Sequence, residues 1–120
     1  MKKLFGLFVA VLVGTAAVDA QAQTKVPDDI NALLQKNTCL ACHNADKRVV
    51  GPAYKDVAKK KYTNDQIVDL IYNPKPEHWP GYPPMAPMKQ VPKDEALKIA
   101  KWINSLNGGA AAKTATKKKA

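Results

Sequence analysis

Cys39-Leu40-Ala41-Cys42-His43 constrains this chain more than any other feature. Two thiols and an imidazole within five residues have the spacing for covalent attachment of a c-type haem. Each sulfur can add to one vinyl group, and His43 then lies where its ring can reach the iron. A chain of 120 residues that carries so large an apolar body must fold around it. A disulfide or a redox-active dithiol is the rival reading of the cysteines. A closed zinc site needs four ligands, and the chain has only two Cys and two His to offer.

The N-terminus supplies a compartment suited to this chemistry. Met1-Lys2-Lys3 is followed by an apolar run from Leu4 to Val18 and then by Ala20-Gln21-Ala22. This pattern predicts a secretory leader over residues 1–22, with cleavage after Ala22 or Ala20. An uncleaved anchor is the alternative, but the run is shorter than the about 20 residues of a membrane span. The expected destination is the periplasm, with the processed protein soluble.

Helical periodicity organises the rest. Ile30, Leu33 and Leu34 give a first helix over Val26–Asn37, with Asp28 and Asp29 at its acidic start. Pro52–Lys61 is a shorter candidate, with Ala53, Tyr54, Val57 and Ala58 on one side. Thr63 and Gln66 have the spacing of a capping box ahead of Ile67, Leu70 and Ile71, and Pro74 ends that helix. Residues 73–92 are proline-rich and cannot form a long helix. A last helix, Lys93–Leu106, packs through Ala96, Leu97, Ile99, Ala100, Trp102, Ile103 and Leu106 and stops at Gly108-Gly109. No alternating strand pattern is present. The domain boundaries read as 1–22 leader, 23–107 helical domain and 108–120 Lys/Ala-rich disordered tail.

The proline-rich loop is expected to hold a second iron ligand. Tyr82-Pro83-Pro84-Met85-Ala86-Pro87-Met88 offers two thioethers, and the flanking prolines restrict the backbone around Met85. Met88 is the second choice. His78, which would give a bis-histidine iron, is the third. Core packing is the alternative role for either methionine.

With these residues in view, the chain resembles the small bacterial class I cytochromes c, monohaem electron carriers of the periplasm. The resemblance runs from about Asp28 to Leu106. It rests on Cys39-Leu40-Ala41-Cys42-His43, on Asp46 to Ala58 with its Gly51-Pro52 pair, on Pro84-Met85-Ala86-Pro87, and on Asp94-Glu95-Ala96 with Ala100-Lys101-Trp102-Ile103. It implies an all-α fold of about four helices around one covalent haem c. It further implies His43 and Met85 as axial ligands, and Pro52 as the carbonyl partner of the His43 ring. Trp79 is implied to lie near a propionate. The segment Trp79-Pro80-Gly81-Tyr82-Pro83-Pro84-Met85 is one residue longer than the usual Trp-to-Met spacing. That leaves two readings of Trp79: an indole N–H bonded to the propionate, or a ring packed on the haem edge. Trp102 reads as a packing residue. Gly51 and Gly81 are assigned to backbone geometry.

The resemblance implies single-electron transfer in a respiratory chain, with no catalytic residues. A dedicated cytochrome subunit of a periplasmic oxidoreductase is one alternative. A haem sensor or weak peroxidase, which would need a labile distal ligand, is another. The formal net charge is +9, and +8 for residues 23–120. Lys55, Lys59, Lys60 and Lys61 form one basic cluster, and Lys89, Lys93, Lys98 and Lys101 another. These point to acidic periplasmic redox proteins or membrane respiratory complexes as partners. Peripheral contact with an anionic membrane is a weaker reading, nucleic acid is not expected, and a monomer is the expected state.

Overall fold

The computed structural model describes residues 22–108. The predicted leader, up to Gln21, and the Lys/Ala-rich tail beyond Gly108 lie outside the described residues. Four α-helices occur in chain order: α1 (Asp28–Lys36), α2 (Tyr54–Lys59), α3 (Asn64–Tyr72) and α4 (Lys93–Ser105). Single turns of 3-10 helix lie at Cys39–Ala41 and Pro76–His78. There is no strand among the described residues, and no helix long and apolar enough to cross a membrane.

Each helix starts where its local chemistry directs. Pro27 is the N-cap of α1, followed by Asp28 and Asp29 in the first turn, where the unpaired amides favour negative charge. Thr63 caps α3 in a complete capping box. Its hydroxyl accepts from the Gln66 amide at 3.1 Å, and the Gln66 side chain accepts from the Thr63 amide at 2.9 Å. Ala53 is extended and caps α2, so the helix begins two residues later than its periodicity predicts. Gly108 takes φ +74° just past α4, a left-handed conformation that glycine adopts at no steric cost.

The helix α4 is the spine. It packs against α1, α2 and α3, and Ala96, Ile99, Ala100, Trp102 and Ile103 on it are buried. Small Ala96 and Ala100, both fully buried, let the neighbouring helices approach closely. Leu34 of α1 is also fully buried. In α3 Ile67 and Val68 are buried, and Ile67, Leu70 and Ile71 all line a cavity. The sequence pattern had placed all three of Ile67, Leu70 and Ile71 on one packing face. That face lines the cavity as one surface, with Ile67 and Ile71 also in contact with the helical core.

Two polar ties hold the ends of the domain together. Buried Asn37, just past α1, donates from its amide to the Leu33 carbonyl at 3.0 Å and to Glu95 on α4 at 2.9 Å. Glu95 also receives Lys36 at 2.5 Å. At the other tie, Thr24 donates to Asp46 from its backbone N–H at 2.8 Å and from its hydroxyl at 2.6 Å. Lys55 completes an ion pair with the same carboxylate. The Lys55 ion pair, then the Thr24 bonds, hold the Asp46 carboxyl at about 2, below its ordinary 3.8.

Thr63→Ala removes half of the capping box, and we expect it to cost about 1 kcal/mol in a denaturant unfolding experiment. Because folding lowers the Asp46 pKa, its stabilisation is complete above about pH 4 and is lost as the pH falls towards 2. The stability gap between wild type and Asp46→Asn, measured by thermal unfolding, should therefore shrink over that interval. A constant gap would remove Asp46 from the acid response.

Candidate haem site

The Cys39–His43 segment leaves α1 through a tight turn. Thr38 takes φ +57°, a costly conformation for a β-branched residue, and it delivers Cys39 directly into a 3-10 turn. The following loop folds back on the motif. The amides of Val50 and Gly51 both donate to the Cys42 carbonyl, at 3.2 and 2.7 Å, and the Tyr54 amide donates to Asn44 at 2.9 Å. Asn44 in turn accepts the Asp46 and Lys47 amides through its side-chain oxygen at 2.9 and 3.2 Å. Residues 39–55 therefore form a closed unit around His43.

The His43 ring is held on three sides. Its Nδ1 lies 2.8 Å from the Pro52 carbonyl oxygen. A carbonyl only accepts, so Nδ1 carries the proton and donates it, which leaves the lone pair on Nε2. The Tyr54 ring stacks on the imidazole, with centroids 5.1 Å apart and 22° between planes. Gly51 lies against the ring, because a Cβ added there would sit 2.5 Å from Cε1 and 2.9 Å from Nδ1. Burial lowers the His43 pKa, and the Pro52 carbonyl opposes that only in part. The imidazole is therefore neutral at neutral pH and able to donate its lone pair.

Tyr54 is buried and meets Trp102 edge-to-face at 5.2 Å. Burial, then the neighbouring Cys39, push its phenol well above the ordinary range, so it stays protonated. Burial also raises the Cys39 thiol.

These groups open on one apolar cavity of about 460 Å³, within the usual size range of cofactor sites. Cys39, Cys42, His43 and Pro52 line one wall, and Trp79, Met85 and Met88 belong to the other. Leu70, Ile71, Ile99 and Ile103 supply aliphatic lining from α3 and α4. The donor set suits a haem: two free thiols, a neutral imidazole with an available lone pair, a thioether, and an apolar enclosure. The missing Cβ at Gly51 is what gives the imidazole room. His78 is not part of this lining. It stacks on Tyr62 at 5.8 Å, with Nδ1 3.0 Å from the Tyr62 hydroxyl. Among the described residues no group of three or more His, Cys, Asp or Glu side chains is placed to hold a metal ion by itself.

Cys39, Cys42, His43, Pro52, Trp79 and Met85 all line this cavity, as does the second-choice Met88, and only His78 of the sequence candidates does not. The roles of Gly51 and Tyr54 were understated there, because a residue pressing on a ring has no signature in composition or periodicity. The basic cluster is altered more. Lys55 pairs with Asp46 and Lys59 with Asp56, and Lys60 donates to the His78 carbonyl at 3.2 Å. Its free positive charge is smaller than the count of lysines implies.

A family model described as Cytochrome c matches residues 28–107. The chain is 39% identical over 88 residues to cytochrome c-551 of Pseudomonas aeruginosa, covering 70% of this chain and 83% of the relative. It is 40% identical over 86 residues to cytochrome c2 of Rhodocyclus tenuis, covering 65% and 92%. The crystal structure of wild-type Nitrosomonas europaea cytochrome c552 superposes with a TM-score of 0.59 at 35% identity, covering 63% of this chain and 98% of that one. Homology of this extent implies a covalently attached haem c. The chain belongs to the cytochrome c family, among the small monohaem class I electron carriers that include the bacterial c-551, c-552 and c2 proteins.

Proposed function

We propose that this protein carries single electrons between periplasmic redox partners, with His43 and Met85 as the axial ligands of one haem bound through Cys39 and Cys42. The observation that carries this reading is the His43 ring, neutral, bonded to Pro52 and pressed by Gly51, in the wall of an apolar cavity that Met85 also lines. Bound there, the haem would supply an iron that gains and loses one electron.

The chain's own residues account for the rest. Pro52 fixes the ring's tautomer and orientation and strengthens its donation to iron. Tyr54 keeps the ring from tilting, with Trp102 behind it. Pro83, Pro84 and Pro87 limit the conformations open to Met85, so the thioether loses little entropy when held. Leu70, Ile71, Ile99 and Ile103 exclude water. A site that keeps both ligands through a redox cycle needs little reorganisation, which suits transfer without catalysis.

Met85 is preferred over Met88 for a structural reason. Met88 is half-buried and packs against the helical core. Its amide donates to the Ile71 carbonyl at 2.9 Å, and its sulfur lies 3.7 Å from the Gln90 amide nitrogen. Met85 has no comparable packing and is exposed. Val50 and Met85 are exposed at the cavity, and they give a partner an apolar rim to dock on. The remaining unpaired lysines favour an acidic partner. Trp79 lines the same cavity.

We expect haem-loaded Met85→Ala to lose the weak far-red band of thioether-ligated ferric haem, to have a lower reduction potential, and to bind carbon monoxide when reduced. Retention of the band in Met85→Ala and its loss in Met88→Ala would transfer the role to Met88. Gly51→Ala forces a methyl into the His43 ring. It should cost about 1–3 kcal/mol in denaturant unfolding of the haem-loaded protein, as overpacking does elsewhere. Wild-type stability would mean that the ring is free to move.

A further inference from the structure

The loop that carries Met85 is anchored differently at its two ends. After Met85, bonds to its backbone tie it to the helical core: the Met88 N–H donates to the Ile71 carbonyl, and the Tyr72 hydroxyl donates to the Val91 carbonyl at 2.8 Å. Before Met85, the loop is held from outside by Tyr62, which stacks on His78, and by two cationic side chains. Arg48 donates from its guanidinium to the Gly81 carbonyl at 2.8 Å and lies 3.9 Å from the centroid of the Tyr82 ring. Lys60 donates to the His78 carbonyl and lies 4.7 Å from the Trp79 ring centroid.

The segment from Trp79 to Tyr82 forms a turn. Tyr82 N–H donates to Trp79 at 3.2 Å, with Pro80 second and Gly81 third at φ +84°, as a type II turn requires. Gly81 presents the carbonyl that Arg48 takes. From Tyr82 to Met85 there are only Pro83 and Pro84, whose rings fix φ and which have no N–H to bond elsewhere. A displacement of Tyr82 therefore passes to Met85 with little chance of being absorbed between them.

We propose that Arg48 is a positioning residue for the distal ligand: its clamp on Gly81 and Tyr82 determines how firmly Met85 is held. This rests on the reading of Met85 as ligand. Arg48 belongs to the loop that closes around His43, so the same loop that orients one ligand steadies the other. The guanidinium suits the task because it is planar and can hydrogen-bond in its plane while its face covers an aromatic ring.

The test uses the haem-loaded protein with Arg48→Gln, Arg48→Lys, Tyr82→Leu, the double variant Arg48→Gln/Tyr82→Leu and, as a charge control, Lys47→Gln. Three readouts are taken: imidazole affinity of the ferric protein, the pH midpoint for loss of the far-red band, and amide exchange at Tyr82. In Arg48→Gln we expect imidazole affinity and Tyr82 exchange to rise about tenfold each, the loss of one charged hydrogen bond and one exposed cation–π contact. The pH midpoint should fall by about one unit, the same free-energy change in another readout. Arg48→Lys should be intermediate and Lys47→Gln like wild type. Tyr82→Leu should share part of the effect, and the double variant should fall short of the sum. Wild-type values in Arg48→Gln overturn the proposal, as does faster exchange with unchanged imidazole affinity. A wild-type protein without the far-red band overturns the Met85 reading instead. Faster Tyr82 exchange in Arg48→Gln would then still support the clamp on the loop, and unchanged exchange would overturn it.

Discussion

The hydrogen bond from the His43 ring to the Pro52 carbonyl organises one half of this molecule. It requires a proline that presents its carbonyl inward and a glycine beside it that leaves room for the imidazole. It also requires a loop short enough to return to the motif within ten residues. Cys42, whose sulfur would hold the haem, also supplies the carbonyl that receives the Val50 and Gly51 amides. Covalent attachment, ring orientation and loop closure thus share a few atoms, and a change in one reaches the others.

The opposite wall works by other means. Its backbone has few donors to spend, because Pro80, Pro83, Pro84, Pro87 and Pro92 have none. Rigidity there comes from restricted dihedrals and from side chains that reach in from elsewhere. The helical core supports both walls through α4, which carries Ile99 and Ile103 to the cavity and Trp102 to the back of Tyr54.

Features that depend on neighbours in the chain could be read from the sequence. The Cys39–His43 spacing, the Thr63–Gln66 box, the proline punctuation and the four helices all belong to this kind. What required coordinates was contact between distant side chains. Asn37 is an unremarkable polar residue until Glu95 is brought beside it. Arg48 reads as surface charge until Tyr82 lies beneath it. The lysines of α2 read as a docking patch because carboxylate partners such as Asp46 cannot be assigned from sequence order alone. That the apolar face of α3 lines a cavity as well as the core was hidden for the same reason, since both environments select aliphatic residues.

The ties of the His43 half are short in sequence: Cys42 to Gly51, His43 to Pro52, Asn44 to Tyr54. Those between α1 and α4 span nearly sixty residues, as from Lys36 to Glu95. Chain loops of about ten residues close in roughly 10–100 ns, whereas distant contacts carry a larger entropic cost before any reward. The segment from Cys39 to Lys59 is thus a unit of low contact order, and the entropic cost of long-range closure falls on the contacts that α4 makes with α1.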